Sequence, residues 1–369
     1  MYNKFNRSMR NINLYYYLVT LCILSGCHVT NTNMEYPKNI ILMIGDGMGL
    51  SQISAAMYAN GGQLAMEEAN YIGLIKTNSA SSIITDSAAG ATAFATGQKT
   101  YNGSINMSID TLVLEPITAK MHMNNIKTGI ISTSSVTHAT PACFYGNQIN
   151  RYGVDEELAK QFLNSNINVL IGGGEDYFQN RSDDLNLIDS LKNSNYAIID
   201  SITDYVDDET EKLINFCAPK EPVKKTDGRG DFLKIATRKA LKVLNNNNKS
   251  GFFLMVEGSQ IDWGGHDMES NYIINETLDF DHAIKEAINF AKKDKNTLVL
   301  ITADHETGGY GITGGDFKNN TIKAEFLNDD HTATMVPIFA FGPAANHFIG
   351  TYHNTEIHTK LLNVFQINH

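Results

Sequence analysis

The chain is poor in cysteine, with four in 369 residues: Cys22, Cys27, Cys143 and Cys217. None has the spacing of a thiolate metal site, which excludes a structural zinc of the finger or ribbon type. Basic residues are also few. There are 29 against 40 acidic ones, and a formal net charge of −11 argues against nucleic-acid binding. An anion site on such a chain must gather its positive charge locally, from metal ions or a placed arginine. Long apolar runs are missing too. The apolar run near the start, 14–24, is too short to span a bilayer comfortably. There is no internal repeat and no linker that would divide the chain. With 42% hydrophobic residues over this length, the chain can bury a large core.

Lys4, Arg7 and Arg10 precede the short apolar run, which closes on Leu24-Ser25-Gly26-Cys27. This order resembles a bacterial lipobox, with residues 1–26 removed as a lipoprotein signal peptide and Cys27 lipidated as the new N-terminus. An ordinary secretory signal or a buried hydrophobic start is the alternative. The basic residues, the run length and the small residues before Cys27 favour the lipobox. Removal of residues 1–26 leaves 26 basic and 40 acidic residues, a formal charge of −14. A lipid tether on so acidic a protein implies the bacterial cell envelope, on the periplasmic or outer-membrane face. Residues 27–369 are expected to form a single domain, with Cys143 and Cys217 as two buried thiols.

Several apolar stretches rich in Ile, Val and Leu lack alternation and read as buried strands: 39–44, 127–132, 167–172, 251–256, 297–302 and 336–341. Amphipathic helical stretches lie between them, the clearest at 231–245 and 271–292. Strands alternating with helices predict an α/β fold, a mostly parallel central sheet with helices on both faces. The segments 220–231 and 245–248 read as surface loops.

In such a sheet, ligands gather at the carboxyl ends of the strands. Four remote segments then deliver Asp46, His138, Thr140, Glu257, Asp262, His266, Asp304 and His305 to one edge. A set of Asp, Glu and His without thiolates suits zinc and magnesium. Asp262 and His266 are four apart, so one helical turn sets both on one face. Asp304 and His305 are adjacent and could face one ion or two neighbouring ones. Between the first two strands lies TDSAAGATAFATG, 85–97. Its small residues could serve close packing, with Asp or Ser as an ordinary N-cap. Alternatively Ser87 is a nucleophile, because the free amides at a helix head stabilise an anion.

The motifs GDGMG, TDSAAGATAFATG, HATPA with Arg151 thirteen residues past its histidine, VEGSQIDWGGHD, TADHETGG and HTATMVPIFAFGP stand in one order along nearly the whole mature chain. As a set they resemble the bacterial alkaline phosphatases. The resemblance implies that Ser87 is the nucleophile, and that Asp262, His266 and His331 hold one zinc. Asp46, Asp304 and His305 would hold a second. Asp46, Thr140 and Glu257 would hold a magnesium, and Arg151 would clamp two phosphate oxygens. Two zinc ions can stabilise the attacking and leaving oxygens of an in-line displacement. Small phosphate monoesters are the implied substrates, through a phosphoserine intermediate, and a homodimer is expected. A phosphodiesterase is the rival within the superfamily. Thr140, Glu257 and Arg151, which suit a phosphoryl group with three free oxygens, argue against it. Retention of Ser87 argues against a non-catalytic binding lipoprotein.

Two positions depart from some relatives. His138 stands where some have Asp, and Trp263 where others have Lys or His, a pairing that resembles certain cold-active bacterial members. His138 puts the identity of the third metal in question. The segment between Gly308 and His331, 309–330, is shorter than the cap often inserted there at the dimer interface.

Overall fold

The computed structural model describes residues 36–367, so the expected signal peptide, residues 1–26, and Cys27 lie outside the described residues. The described residues hold fourteen strands. They are β1 (Asn39–Gly45), β2 (Tyr71–Lys76), β3 (Lys127–Ser135), β4 (Val169–Gly173), β5 (Ala197–Ile199), β6 (Leu213–Ala218) and β7 (Phe252–Gly258) in the first part. In the second come β8 (Thr297–Thr302), β9 (Glu306–Thr307), β10 (Gly311–Asp316), β11 (Thr321–Glu325), β12 (His331–Thr332), β13 (Val336–Phe341) and β14 (Gly350–His353). Helices separate most of those up to β8, and β8 to β13 follow one another without a helix.

Ten of them form one sheet in the order β14-β2-β13-β8-β1-β7-β3-β4-β6-β5. Every pairing is parallel except those of β13, which runs antiparallel to both β2 and β8. The three central strands β8, β1 and β7 are buried along their whole length. This is why they read as unbroken apolar runs rather than alternating ones: both faces of a central parallel strand are covered. The described residues fall in one compact unit.

Long amphipathic helices supply the cover. Phe232–Asn245 presents Phe232, Leu233, Ala236, Ala240, Leu241 and Leu244 to the core, at helical spacing. Ser270–Asp294 does the same with Ile273, Phe280, Ile284, Ala287 and Ile288. Two expectations change. Cys143 is buried, but Cys217, near the end of β6, is exposed. The last residues of that strand run out of the core, and its burial ends at Phe216. The segment 220–231 is not wholly a surface loop either. Its Arg229 side chain is buried against Glu276 and Asp279 of the long helix, which fastens the loop to the core.

Candidate metal centre and catalytic site

The carboxyl ends of β1, β3, β7 and β8 lie side by side in the sheet order, and each delivers part of one site. Asp46 follows β1, and its amide donates to the Gly258 carbonyl at the end of β7 (3.2 Å). The turn that follows needs glycine. Gly47 has φ +71°, and a Cβ there would lie 2.7 Å from Thr307 Oγ1 and 2.8 Å from Asp262 Cα. Glu257 is the penultimate residue of β7 rather than a loop residue beyond it. Asp304 and His305 follow β8, and all four of these side chains are buried.

Asp262 and His266 sit on the short helix Gln260–His266, where the four-residue spacing brings His266 Nε2 to 3.3 Å from Asp262 Oδ2. His331 opens β12, whose pairing with β9 sets it opposite Thr307. There its Nε2 is 3.4 Å from Asp262 Oδ1 and 3.2 Å from His266 Nε2. These three side chains form one cluster of metal-type donors. Asp46, Asp304 and His305 form a second, with His305 Nε2 3.3 Å from both carboxylates. The rings of His305 and His331 stack at 3.6 Å, so the two clusters adjoin. A third cluster joins Asp46 and Glu257 to His138. Thr140 stands close by in chain, in the helical turn Ala139–Ala142 that follows β3.

Ser87 begins the helix Ser87–Thr96, all of whose residues are buried. Its Oγ lies 3.3 Å from His305 Nε2. Asp86 is the N-cap, accepting from the Ala89 amide (2.9 Å) on Oδ1. Its other oxygen accepts from the Gly103 amide (3.0 Å) and pairs with Arg151 Nη1 (3.4 Å). Arg151 Nη2 also reaches His138 Nε2 (3.1 Å), and His138 meets the Trp263 ring edge-on at 6.0 Å. The capping reading of the serine motif holds, since Asp86 caps the helix, and the first helical residue, Ser87, is placed beside His305 of the second cluster.

The electrostatics are those of a cation site. Burial pushes the Asp304 carboxyl up to about 7, with Asp262 adding to the rise. Burial likewise lifts Glu257 to about 7 and raises Asp46 well above the carboxylate range, the latter helped by Asp304, Asp262 and Glu257. Burial also acts on Asp262, but its bonds to His266 and His331 outweigh it and hold that carboxyl well below the usual range. The same bond to Asp262 raises His266 to about 9. Burial and Arg151 together push His138 down to about 3. Both Asp46 carboxylate oxygens, Asp304 Oδ2, Glu257 Oε1, Thr140 Oγ1 and His138 Nδ1 are buried without a hydrogen-bond partner. Unpaired buried oxygens of this kind are costly unless a cation satisfies them. The donors therefore fit divalent metal ions: each cluster mixes carboxylate oxygen with imidazole nitrogen, and the one with two histidines, Asp262, His266 and His331, is the richest in nitrogen and suits zinc best.

Sequence reasoning passed over several residues. Thr307 Oγ1 donates to Asp262 and lies 3.2 Å from His305 Nδ1, bridging two clusters. It lies inside a motif already singled out, but the pairing of two-residue strands that positions it leaves no periodic signal. Ser132 Oγ donates to Glu257 Oε2 (2.6 Å) and is joined to Ser134 and Ser259 at 2.7 and 2.8 Å. These hydroxyls orient the carboxylate so that its other oxygen is free. The site opens to solvent through a cleft of about 900 Å³, lined by Ser87, Arg151, Asp262, Trp263, His266 and His331 among others. A separate cleft of about 640 Å³, bordered by Arg238, Lys242 and Glu286, shares no lining residue with it.

Residues 37–326 match the family model for alkaline phosphatase. The chain is 32% identical to alkaline phosphatase 3 of Bacillus subtilis over 91% of this chain and 90% of that one. It is also similar to the structure of alkaline phosphatase from the Antarctic bacterium TAB5, at 42% identity and a TM-score of 0.86 over 91% of this chain and all of that one. A His 135 Glu mutant of that protein, with Mg bound in its M3 site, superposes with the same TM-score, identity and coverage.

Proposed function

The chain belongs to the alkaline phosphatase family, and from that premise we propose that it hydrolyses phosphate monoesters through a phosphoserine formed on Ser87. Two zinc ions and a third divalent ion complete the site. The observation that carries this reading is the meeting of Ser87 Oγ with His305 at the join of two metal-type clusters. One zinc would be held by Asp262, His266 and His331, the other by Asp46, Asp304 and His305. Asp46, Glu257 and Thr140 would hold magnesium, and the nitrogen of His138 biases that site toward a borderline ion such as zinc.

Bound divalent ions would supply the positive charge that favours the Ser87 alkoxide and the departing oxygen. Ser87 Oγ, its proton lost to solvent, attacks phosphorus; the bond to the leaving oxygen breaks on the opposite side, and the departing alkoxide takes a proton from water. The helix amides behind Ser87 favour the negative charge gathered there. Asp86 and His138 hold the Arg151 guanidinium from two sides, so its fork faces the phosphoryl oxygens with little freedom to lose. Water then attacks the phosphoserine, freeing phosphate and regenerating the hydroxyl. Trp263 carries no charge, and its indole donates one hydrogen bond at most. It therefore binds phosphate less tightly than a lysine would, which favours product release.

Purified protein loaded with zinc and magnesium is expected to hydrolyse aryl and alkyl monoesters, with diesters far slower. A diester preference would sink the monoesterase reading. The reading extends to the N-terminus: Cys27 is the lipid anchor, placing the enzyme on the cell envelope as a homodimer. Wild-type protein should then fractionate with membranes and Cys27→Ser should not. Wild type found free in the periplasm would contradict the anchor.

A further inference from the structure

The cleft is two-sided. Asp86, Arg151, Asp262, His266, Asp330 and His331 make it polar where phosphate would sit. Ile84, Ile149 and Tyr152 also line it. Tyr152 is 74% exposed and Ile149 63% exposed, an unfavourable display of apolar surface at the mouth of a polar cleft.

That wall is built. The tripeptide Asn102–Ser104 ties its two segments of chain, 84–86 and 149–152, together. Asn102 Nδ2 donates to the Ile84 carbonyl (3.0 Å), and Ser104 Oγ donates to the Ile149 carbonyl (2.9 Å). The Gly103 carbonyl accepts from the Arg151 amide (2.8 Å). The Gly103 amide donates to Asp86, the residue that pairs with Arg151. One segment therefore sets both the phosphate clamp and the apolar wall. Tyr152 is turned out by a tight turn in which its amide donates to Asn150 Oδ1 (3.1 Å), and its ring centroid lies 5.7 Å from the Arg151 guanidinium carbon. In-line displacement sends the leaving group away from buried Ser87, toward the mouth where this wall stands.

Resting on the monoesterase reading, we propose that Ile84, Ile149 and Tyr152 form a leaving-group shelf that selects monoesters of aromatic alcohols. The Tyr152 ring is the platform on which the leaving ring stacks, and the two isoleucines cover its edge. The shelf makes Tyr152 a specificity-determining residue, and small alkyl phosphates would leave it uncovered.

Phenyl and methyl esters differ in leaving-group acidity, so the test uses phenylphosphonate and methylphosphonate, which have no leaving group. Their inhibition constants are measured on the zinc- and magnesium-loaded full chain, as wild type, Tyr152→Ala and Tyr152→Phe, with Ile149→Ser as a second probe. Wild type should prefer the phenyl ligand. Tyr152→Ala should cut that preference about fivefold, the scale of one aromatic contact, and Tyr152→Phe should keep it. Ile149→Ser should lower it in the same direction. If wild type hydrolyses monoesters but all forms share one phenyl-to-methyl ratio, the shelf is overturned while the activity stands. If wild type hydrolyses neither phenyl nor methyl phosphate, the monoesterase reading falls and the shelf with it.

Discussion

Glu257 shows how much one side chain depends on its neighbours. Ser132 occupies one carboxylate oxygen and leaves the other unpartnered beside Asp46 and His138. Glu257→Gln keeps the shape and removes one charge and one hard ligand, so the third ion should bind much more weakly. A monoester presents three non-bridging oxygens and a diester two, and on the proposed reading the third ion would serve the one left over. Losing a charge-assisted contact of about 3 kcal/mol predicts a fall in kcat/KM for monoesters of roughly a hundredfold. Diesters should lose far less. Equal losses in paired assays with zinc saturating would mean that Glu257 only shapes the strand end. At this scale Asp46, Glu257, Asp304 and His305 were legible in the sequence because each stands at or just past the end of an apolar run, whereas His331 stands ahead of one and was drawn in by the family resemblance. The pairing of Asp86 with Arg151 and the roles of Thr307 and Ser132 were not legible. Each acts through a partner brought near by tertiary structure, and a lone Asp, Thr or Ser has many uses in a chain.

Among elements, the helix Ser87–Thr96 is the one whose position matters most. A Cβ on Gly90 would meet the Asp304 Cβ at 3.1 Å, so the glycine lets the helix lie directly on Asp304, two residues past β8. Gly90→Ala should gain about 1 kcal/mol of helix propensity. The added methyl must nevertheless push the helix off Asp304 by a few tenths of an ångström, and Ser87 moves with it. Displacements of this order at a reacting atom predict about a tenfold fall in kcat/KM with little loss of thermal stability. A variant that loses stability and activity together would show that the contact is general packing. The six apolar runs were all recovered as strands because burial on both faces leaves continuous hydrophobicity. Less visible were β2, with two exposed residues at its start, and the short β14 at the sheet edge. The antiparallel sense of β13 was equally hidden, since a strand buried between two others reads the same in either direction.

For the whole molecule, the balance of charge dominates. Asp46, Glu257, Asp262 and Asp304 are buried together in a chain of net charge −11. Cations that bind only the folded state offset this repulsion and stabilise it by mass action, about 2.7 kcal/mol per site at a hundredfold excess over Kd. Stripping the protein with a chelator should therefore lower Tm by roughly 4 °C per strong site, and zinc with magnesium should restore it. An unchanged Tm would mean that the clusters do not hold metal. The central claim, that Ser87 is the group that takes the phosphoryl, has a more direct test. Metal-loaded enzyme is mixed with labelled monoester, quenched in acid and mapped by peptide mass analysis. The account predicts the label on Ser87 in wild type and no label in Ser87→Ala that retains its metals. Label on any other residue would contradict it.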